Sequence, residues 1–582
     1  MLSDALARIS GGRLTLLRIT LVLTAALYLP TVNFQFVYDD LPQIVYNPRL
    51  QGWDTLPRYF TESTWGASEV VNQYRPVFLL WLRLNRFLFD LSPAGWHLAT
   101  LALYLLAVSL VYRLARKLTE DEDAAGLTAL FFGILPVHME TATWISAASE
   151  SLYAVFALGA MLLYLDYLNE GRSNRLVGAT ALFGLALFAK ETALGVLPII
   201  AGCGLCFSRP TAENWKGRWI QLGRGLWPFI LMSAVYFLAR AYALRSFTHF
   251  PQPHPWTGVL LSIPRMTWFY AQLLFWPFRE HSQFYDVGLI PAASWSGFWL
   301  PMGGVLALMA GLLYWAKNSK LGVMAGLCLV FLLLPPLAGT YTFRMHDMVH
   351  DRYLYLPAFA VCALLAAGLG HWMTRAARSG RWALRAAPVV ALVAVISFFS
   401  VRVVREQDLY HDDIRLYTRA VEAAPKSATV WNFLGYAYSR DGQRAEAVRA
   451  HEQALRLDPD QWETHAYLGG IHFESGELDQ AEEHLRRAAE LQPGTDRSLS
   501  LYKLGLTLSR REKPGAAEAA FREALRLTPD RSGYHFSLGQ SLRKQRRFEE
   551  AAAEFQREIV LHDDEHSKLA LAEMAAESSA RR

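Results

Sequence analysis

The chain has 582 residues, of which 53 % are hydrophobic and 13 % aromatic, with 18 Trp and a formal net charge of +5. That length exceeds one compact domain, and the basic residues collect in short loops between apolar runs, a membrane-orientation pattern that weighs against a nucleic-acid partner. Cys203, Cys206, Cys328 and Cys362 all fall in apolar runs, which excludes a disulfide framework and makes the "CGLC" pair a poor zinc site.

In chain order, Arg8, Arg13 and Arg18 precede or enter a first apolar stretch that no small-residue cleavage pattern follows. An uncleaved first span is predicted. A crossing needs about 20 apolar residues. Crossings are predicted near 16–35, 96–114, 124–141, 149–168, 176–190, 193–208, 226–244, 298–316, 321–339, 354–373 and 385–401, about eleven in all. Alternate short loops hold Arg113, Arg116 and Lys117, then Arg172 and Arg175, then Arg209, Lys216, Arg218 and Arg224, then Lys317 and Lys320, then Arg375, Arg378, Arg381 and Arg385. This face, with the N-terminus, is therefore expected to be cytoplasmic. Two apolar-aromatic stretches, Arg75–Leu91 and Arg265–Phe278, break the parity as crossings and are expected to lie in the outer interface. An odd number of crossings puts the C-terminal part outside.

Just beyond the first span, "NFQFVYDDLPQIVYNPRL" opens the first outer loop, 36–95, with adjacent carboxylates Asp39 and Asp40. Further ionisable clusters fall at predicted outer ends. His138, Glu140 and Glu150 flank the third and fourth spans, and Lys190 and Glu191 close the fifth. His281, Tyr285 and Asp286 form another cluster, and Arg344, His346, Asp347, His350, Asp351 and Arg352 precede the tenth predicted span. Such groups at a membrane edge face a cavity or one another, because facing lipid costs several kcal/mol.

From Ala428 the chain repeats every 34 residues, with a two-residue insertion in the third unit. Leu434-Gly435 recurs at Leu468-Gly469, Leu504-Gly505 and Leu538-Gly539; Ala447 recurs at Ala481, Ala517 and Ala551; Pro459, Pro493 and Pro529 close successive units. These are tetratricopeptide signatures, and the array is expected to hold a peptide or protein partner, the plainer reading being a spacer or dimerisation element. Glu558 and Asp563 replace the Ala and Pro of the fourth unit, as expected of a terminal cap.

The residue types suit transfer of a sugar from a lipid phosphate. A carboxylate takes the proton of the attacking hydroxyl, and cations or a metal stabilise the departing phosphate. Adjacent residues of an extended segment point to opposite sides, so only one of Asp39 and Asp40 is expected to be the base. The other either binds a divalent metal such as Mg or Mn or holds the loop by backbone hydrogen bonds. The alternative is that Asp and Pro here only form a turn.

"YDD", "YRP" (Tyr74–Pro76), "H-x-E" with "WIS", Lys190-Glu191, "DRYLYLP" (Asp351–Pro357) and the repeats occur in that order over nearly the whole chain. The sequence thereby resembles the transmembrane and tetratricopeptide-repeat O-mannosyltransferases and, more broadly, the GT-C membrane glycosyltransferases. The resemblance implies that Asp39 and Asp40 are the catalytic motif, with Asp39 the base, and that Arg352 meets the donor phosphate. Lys190, Arg75 and Tyr353 are expected beside it, with His138, Glu140, Glu191 and Asp351 lining the site. Leu135 stands where the family has a His, Ser146–Glu150 replaces its "SGR-x-D", and Asp351 replaces its usual Glu.

The expectation is an all-α protein. Residues 1–402 form a polytopic GT-C-type domain, 403–427 a connecting helix and half repeat, 428–564 four repeats and 565–582 a helical tail. The expected activity is inverting transfer of a sugar such as mannose from a polyprenyl-phosphate donor to a hydroxyl of an exported protein, glycan or lipid. The expected setting is a bacterial inner membrane with periplasmic repeats. The competing readings are a catalytically silent scaffold and a lipid-sugar flippase, the latter calling for paired internal repeats that the sequence does not display.

Overall fold

The structure, a computed structural model, describes residues 15–64, 73–207, 215–245, 255–276, 281–282, 284–285, 287–339, 349–379, 381–495 and 497–580. Arg8, Arg13, Arg209, Asp286, Arg344, His346 and Asp347 lie outside the described residues. Helices dominate, and no strand occurs among the described residues. The chain divides into two compact units, Met1–Leu416 and Tyr417–Arg582.

In the first unit, eight helical segments among the described residues are long and apolar enough to cross a membrane: Leu16–Asn33, Pro93–Thr119, Ile145–Glu170, Trp219–Leu244, Trp295–Asn318, Lys320–Ala338, Phe359–Ala377 and Trp382–Tyr410. A ninth is Glu122–Ile134 with Pro136–Thr143, bent by 56°. Pro136 explains the break, since it has no N–H to give and forces Leu135 into extended backbone. The two remaining expected segments are the shorter apolar helices Ser173–Ala189 and Glu191–Phe207. By length and composition the described residues thus offer eight or nine crossings, against the eleven expected from sequence.

Ring contacts and ion pairs tie the helix ends together. Helix Pro93–Thr119 starts beside the first loop, where Trp96 meets Phe36 at a ring distance of 6.0 Å. At about 1.5 Å per residue it extends roughly 40 Å. At its far end Lys117 pairs with Asp166 and Arg116 with Glu122, while Arg175 meets Glu170 at 3.5 Å. Asp121 caps helix Glu122–Ile134 there, accepting from the N–H groups of Asp123 and Ala124. Arg116, Lys117 and Arg175 therefore lie toward the end of helix Pro93–Thr119 away from the acidic loop. Arg75–Leu91 contains the separate helix Pro76–Phe89, which buries Phe78, Leu79 and Leu82 and exposes Leu84, Phe87 and Leu88.

The second unit stacks helix pairs: Ala428–Arg440 with Arg444–Leu457, Trp462–Glu474 with Leu478–Leu491, Arg497–Arg510 with Pro514–Leu527, and Tyr534–Lys544 with Phe548–His562. Ala447, Ala481, Ala517 and Ala551 are fully buried. A Cβ on Gly435, Gly469, Gly505 or Gly539 would fall within 2.7 Å of His451, Leu485, Phe521 or Phe555 respectively. Small residues are thus required where paired helices approach. A final helix, Glu565–Ala580, adds Ala570, Leu571 and Met574 to the core of the last units.

Candidate active site

The acidic loop is over-determined. Asp40 is fully buried, and both of its carboxylate oxygens accept hydrogen bonds. Oδ2 accepts from the N–H of Val37 at 3.1 Å, and Oδ1 from the N–H and hydroxyl of Ser146 at 2.8 and 2.5 Å. Burial pushes the Asp40 carboxyl up to about 7, against the lowering effect of these hydrogen bonds. Tyr38 has φ +53°, the left-handed region that a non-glycine residue occupies only where its surroundings hold it. Its N–H donates to Asp413 Oδ1 at 2.8 Å, and its ring stacks on Trp144 at 5.5 Å. Asp39 lies between these two fixed neighbours and is partly exposed. Asp40 is thus a tie that shapes the loop, and Asp39 is the less buried carboxylate of the two.

Three cations singled out from sequence stand in carboxylate pairs. Glu140, fully buried, accepts from the backbone N–H of Arg352 at 2.8 Å and from its Nη1 at 2.5 Å. Lys190 pairs with Glu150, an acid in the first turn of helix Ala148–Glu170. Arg75 makes a bidentate pair with Glu191, at 2.8 and 2.5 Å. The ring of Tyr353 joins two of them, with Lys190 Nζ at 5.5 Å and the Arg352 guanidinium at 5.3 Å from its centroid. The same guanidinium lies 5.3 Å from the ring of Trp144. Trp144 therefore touches both Arg352 and Tyr38, the residue before Asp39.

Asp351 faces a separate buried network. It accepts from the Tyr285 hydroxyl at 2.8 Å and pairs with His281 Nδ1 at 2.6 Å. Burial disfavours a charged His281, yet the Asp351 carboxylate and Glu406 together raise the imidazole pKa above its usual 6.5. His138 sits apart from these groups, in the core. Its ring packs against Phe132 at 4.3 Å and Tyr355 at 4.9 Å, and its Nδ1 lies 2.8 Å from the Phe132 carbonyl oxygen. It braces the bend before Glu140 rather than lining an open surface.

Both Asp40 oxygens are already engaged by protein donors, and among the described residues no group of three or more His, Cys, Asp or Glu is placed to hold a metal. Nothing in the sequence alone assigns a role to the partners Trp144, Ser146, Glu150 and Asp413. A buried acid in an apolar helix calls for a cation, so the Glu150–Lys190 pair had a sequence signal. Asp413, 375 residues from Tyr38, had none.

Residues 75–238 match the family described as dolichyl-phosphate-mannose-protein mannosyltransferase. Residues 430–461, 463–530 and 502–566 match tetratricopeptide repeat families. The chain thus carries a region similar to that mannosyltransferase family ahead of one similar to tetratricopeptide repeats. The first match contains Arg75, Glu140, Lys190 and Glu191, and excludes the acidic pair and Arg352. The chain is 25 % identical over 597 residues to the human protein O-mannosyl-transferase TMTC3, covering 92 % of this chain and 63 % of that protein. It is 23 % identical over 618 residues to Tmtc3 of Drosophila melanogaster, covering 92 % and 63 %. With human TMTC1 the identity is 25 % over 482 residues, covering 73 % and 53 %. The chain thus spans about three-fifths of the length of the curated relatives it matches. Among solved structures it is similar to a crystal structure of MamA, at 24 % identity and a TM-score of 0.25, covering 26 % of this chain and 86 % of that one.

Proposed function

We propose that the chain is an integral-membrane, inverting glycosyltransferase. It moves mannose from a polyprenyl-phosphate donor to a hydroxyl of an exported protein. The observation that carries this reading is the Trp144 ring, which stacks on Tyr38, the residue before the partly exposed Asp39, and also meets the Arg352 guanidinium. The names of the relatives and the family matched by residues 75–238 support the sugar and the protein acceptor.

In this reading Asp39 takes the proton of the acceptor hydroxyl as its oxygen attacks the anomeric carbon. The bond from that carbon to the phosphate oxygen breaks, and the lipid phosphate leaves with the electron pair, its charge met by Arg352. Glu140 orients Arg352, and Tyr353 keeps Lys190 next to it. A single displacement inverts the anomeric centre. A polyprenyl tail stays in the bilayer, so the donor sugar meets the acid at headgroup depth, on the side opposite the basic loops. The repeats recruit the acceptor.

The test is transfer from radiolabelled polyprenyl-phosphate mannose by the reconstituted protein. Asp39→Asn is expected to abolish transfer while leaving thermal unfolding unchanged. Transfer that survives in Asp39→Asn would remove the acid from the mechanism.

A further inference from the structure

We infer that Asp413, at the start of helix Asp413–Ala423, is a positioning residue for the acidic loop, acting on Asp39 through the peptide of Tyr38. The inference rests on the transferase reading for its kinetic consequence, though not for its geometry.

Asp39 has two sequence neighbours, and each is fastened by a distant polar tie. On one side Asp40 binds Ser146. On the other, the Tyr38 N–H donates to Asp413 Oδ1 at 2.8 Å. The Tyr38 peptide is the one that most needs holding, because a side-chain-bearing residue at φ +53° relaxes when its constraints are removed. Rotation about that residue redirects the next Cα–Cβ bond, which belongs to Asp39. Asp413 is itself buried, so its carboxylate is directed at the loop and not spent on solvent. The contact has company: the Gln35 N–H donates to the carbonyl of His411 at 3.0 Å, and the Phe34 and His411 rings lie 5.2 Å apart. Residues 411–413 therefore run alongside 34–38 and hold it at three points. The Tyr38 ring is clamped independently by Trp144 and by Phe284, at 5.5 and 5.8 Å. Removing the Asp413 tie therefore frees the peptide while the side chain stays anchored.

An acid in the first turn of a helix also favours that helix through its exposed N–H groups. Two substitutions separate the roles. Asp413→Asn loses the charge but keeps an oxygen acceptor for the Tyr38 N–H. Asp413→Ala loses both. The full-length protein in lipid nanodiscs is examined by hydrogen exchange and by mannose transfer. In Asp413→Ala the peptides covering 36–41 exchange about tenfold faster or more, and kcat falls by about tenfold to a hundredfold with the donor KM little changed. In Asp413→Asn both stay near wild type. Unchanged exchange of 36–41 in Asp413→Ala overturns the inference. So does an equal loss in both variants with faster exchange throughout 413–423, which marks a helix-stabilising role alone. If the wild-type protein transfers no mannose while exchange behaves as described, the transferase reading fails and the tie stands.

Discussion

Glu140 grips Arg352 twice, one carboxylate oxygen taking the backbone N–H at 2.8 Å and the other taking Nη1 at 2.5 Å. The pair joins the short helix Met139–Thr143 to the turn Asp351–Leu354, 212 residues further on. Because Glu140 is fully buried, removing Arg352 leaves its charge uncompensated, which costs about 3–5 kcal/mol. Arg352→Ala is therefore expected to lower the unfolding temperature of the detergent-purified protein sharply. Glu140→Gln keeps one acceptor and removes the charge. It is expected to fold, to raise the donor KM at least tenfold and to change kcat less, as measured with labelled lipid donor. A Glu140→Gln enzyme with an unaltered donor KM would show that the grip does not place Arg352 for the phosphate.

Asp40 makes a pH prediction with a defined sign. Its carboxyl lies at about 7 in the folded protein, against an ordinary 3.8, so between those values the folded state holds a proton that the unfolded state has released. Stability then falls as pH rises from about 4 to about 7, and the contribution of this group levels off above that. The full effect is on the order of 4 kcal/mol. Asp40→Asn, which mimics the protonated form, is expected to remove this slope from unfolding measurements made between pH 4.5 and 7.5. A variant that retains the wild-type slope would place the titrating group elsewhere.

The residues just discussed show what the sequence makes legible. Apolar runs and the 34-residue period reveal the helices and repeats because each depends on patterns within one segment. The ionisable clusters were visible for the same reason, as charges where hydrocarbon was expected. Their pairing was not, because Glu140–Arg352, Arg75–Glu191 and Tyr38–Asp413 join positions 212, 116 and 375 residues apart. Nor was the difference in burial between Asp39 and Asp40, which follows from where Ser146 is brought. His138 misleads for a related reason. Its motif neighbour Glu140 turns to Arg352, while the bend at Pro136 carries the imidazole into an aromatic core.

Glu558 replaces the alanine of the repeat pattern for a reason other than ending the array. It is fully buried, and its carboxylate accepts from the N–H of Gly533 at 2.7 Å and of Phe536 at 3.2 Å, supplying the start of helix Tyr534–Lys544 with acceptors. Glu558→Ala restores the common repeat residue and yet is expected to destabilise the array by about 1–2 kcal/mol. Circular dichroism melting of the full-length protein against Glu558→Ala checks this. A variant as stable as wild type would mean that solvent caps the helix equally well.

Gly195 tests how closely backbones must approach behind the paired cations. It follows Lys190 and Glu191 by a few residues, in the turn Glu191–Gly195 that leads into helix Val196–Phe207. A Cβ there would stand 2.3 Å from the carbonyl oxygen of Phe331 and 3.2 Å from the Cα of Leu332, both backbone atoms of helix Lys320–Gly339. Neither can rotate aside, so the two segments must separate, and overpacking of this kind costs about 1–3 kcal/mol. The turn carries Glu191, which holds Arg75, so separation also disturbs that bidentate pair. Gly195→Ala is expected to lower both the unfolding temperature and the rate of transfer. Gly303, inside helix Leu300–Asn318, is the matched control, since an added Cβ there meets no atom within 4 Å among the described residues. Gly303→Ala is expected to gain about 0.5–1 kcal/mol from the helix preference of alanine and to leave transfer unchanged. The two alanine substitutions should therefore move the unfolding temperature in opposite directions, and a shift of the same sign in both would rule out the Phe331 contact as the cause.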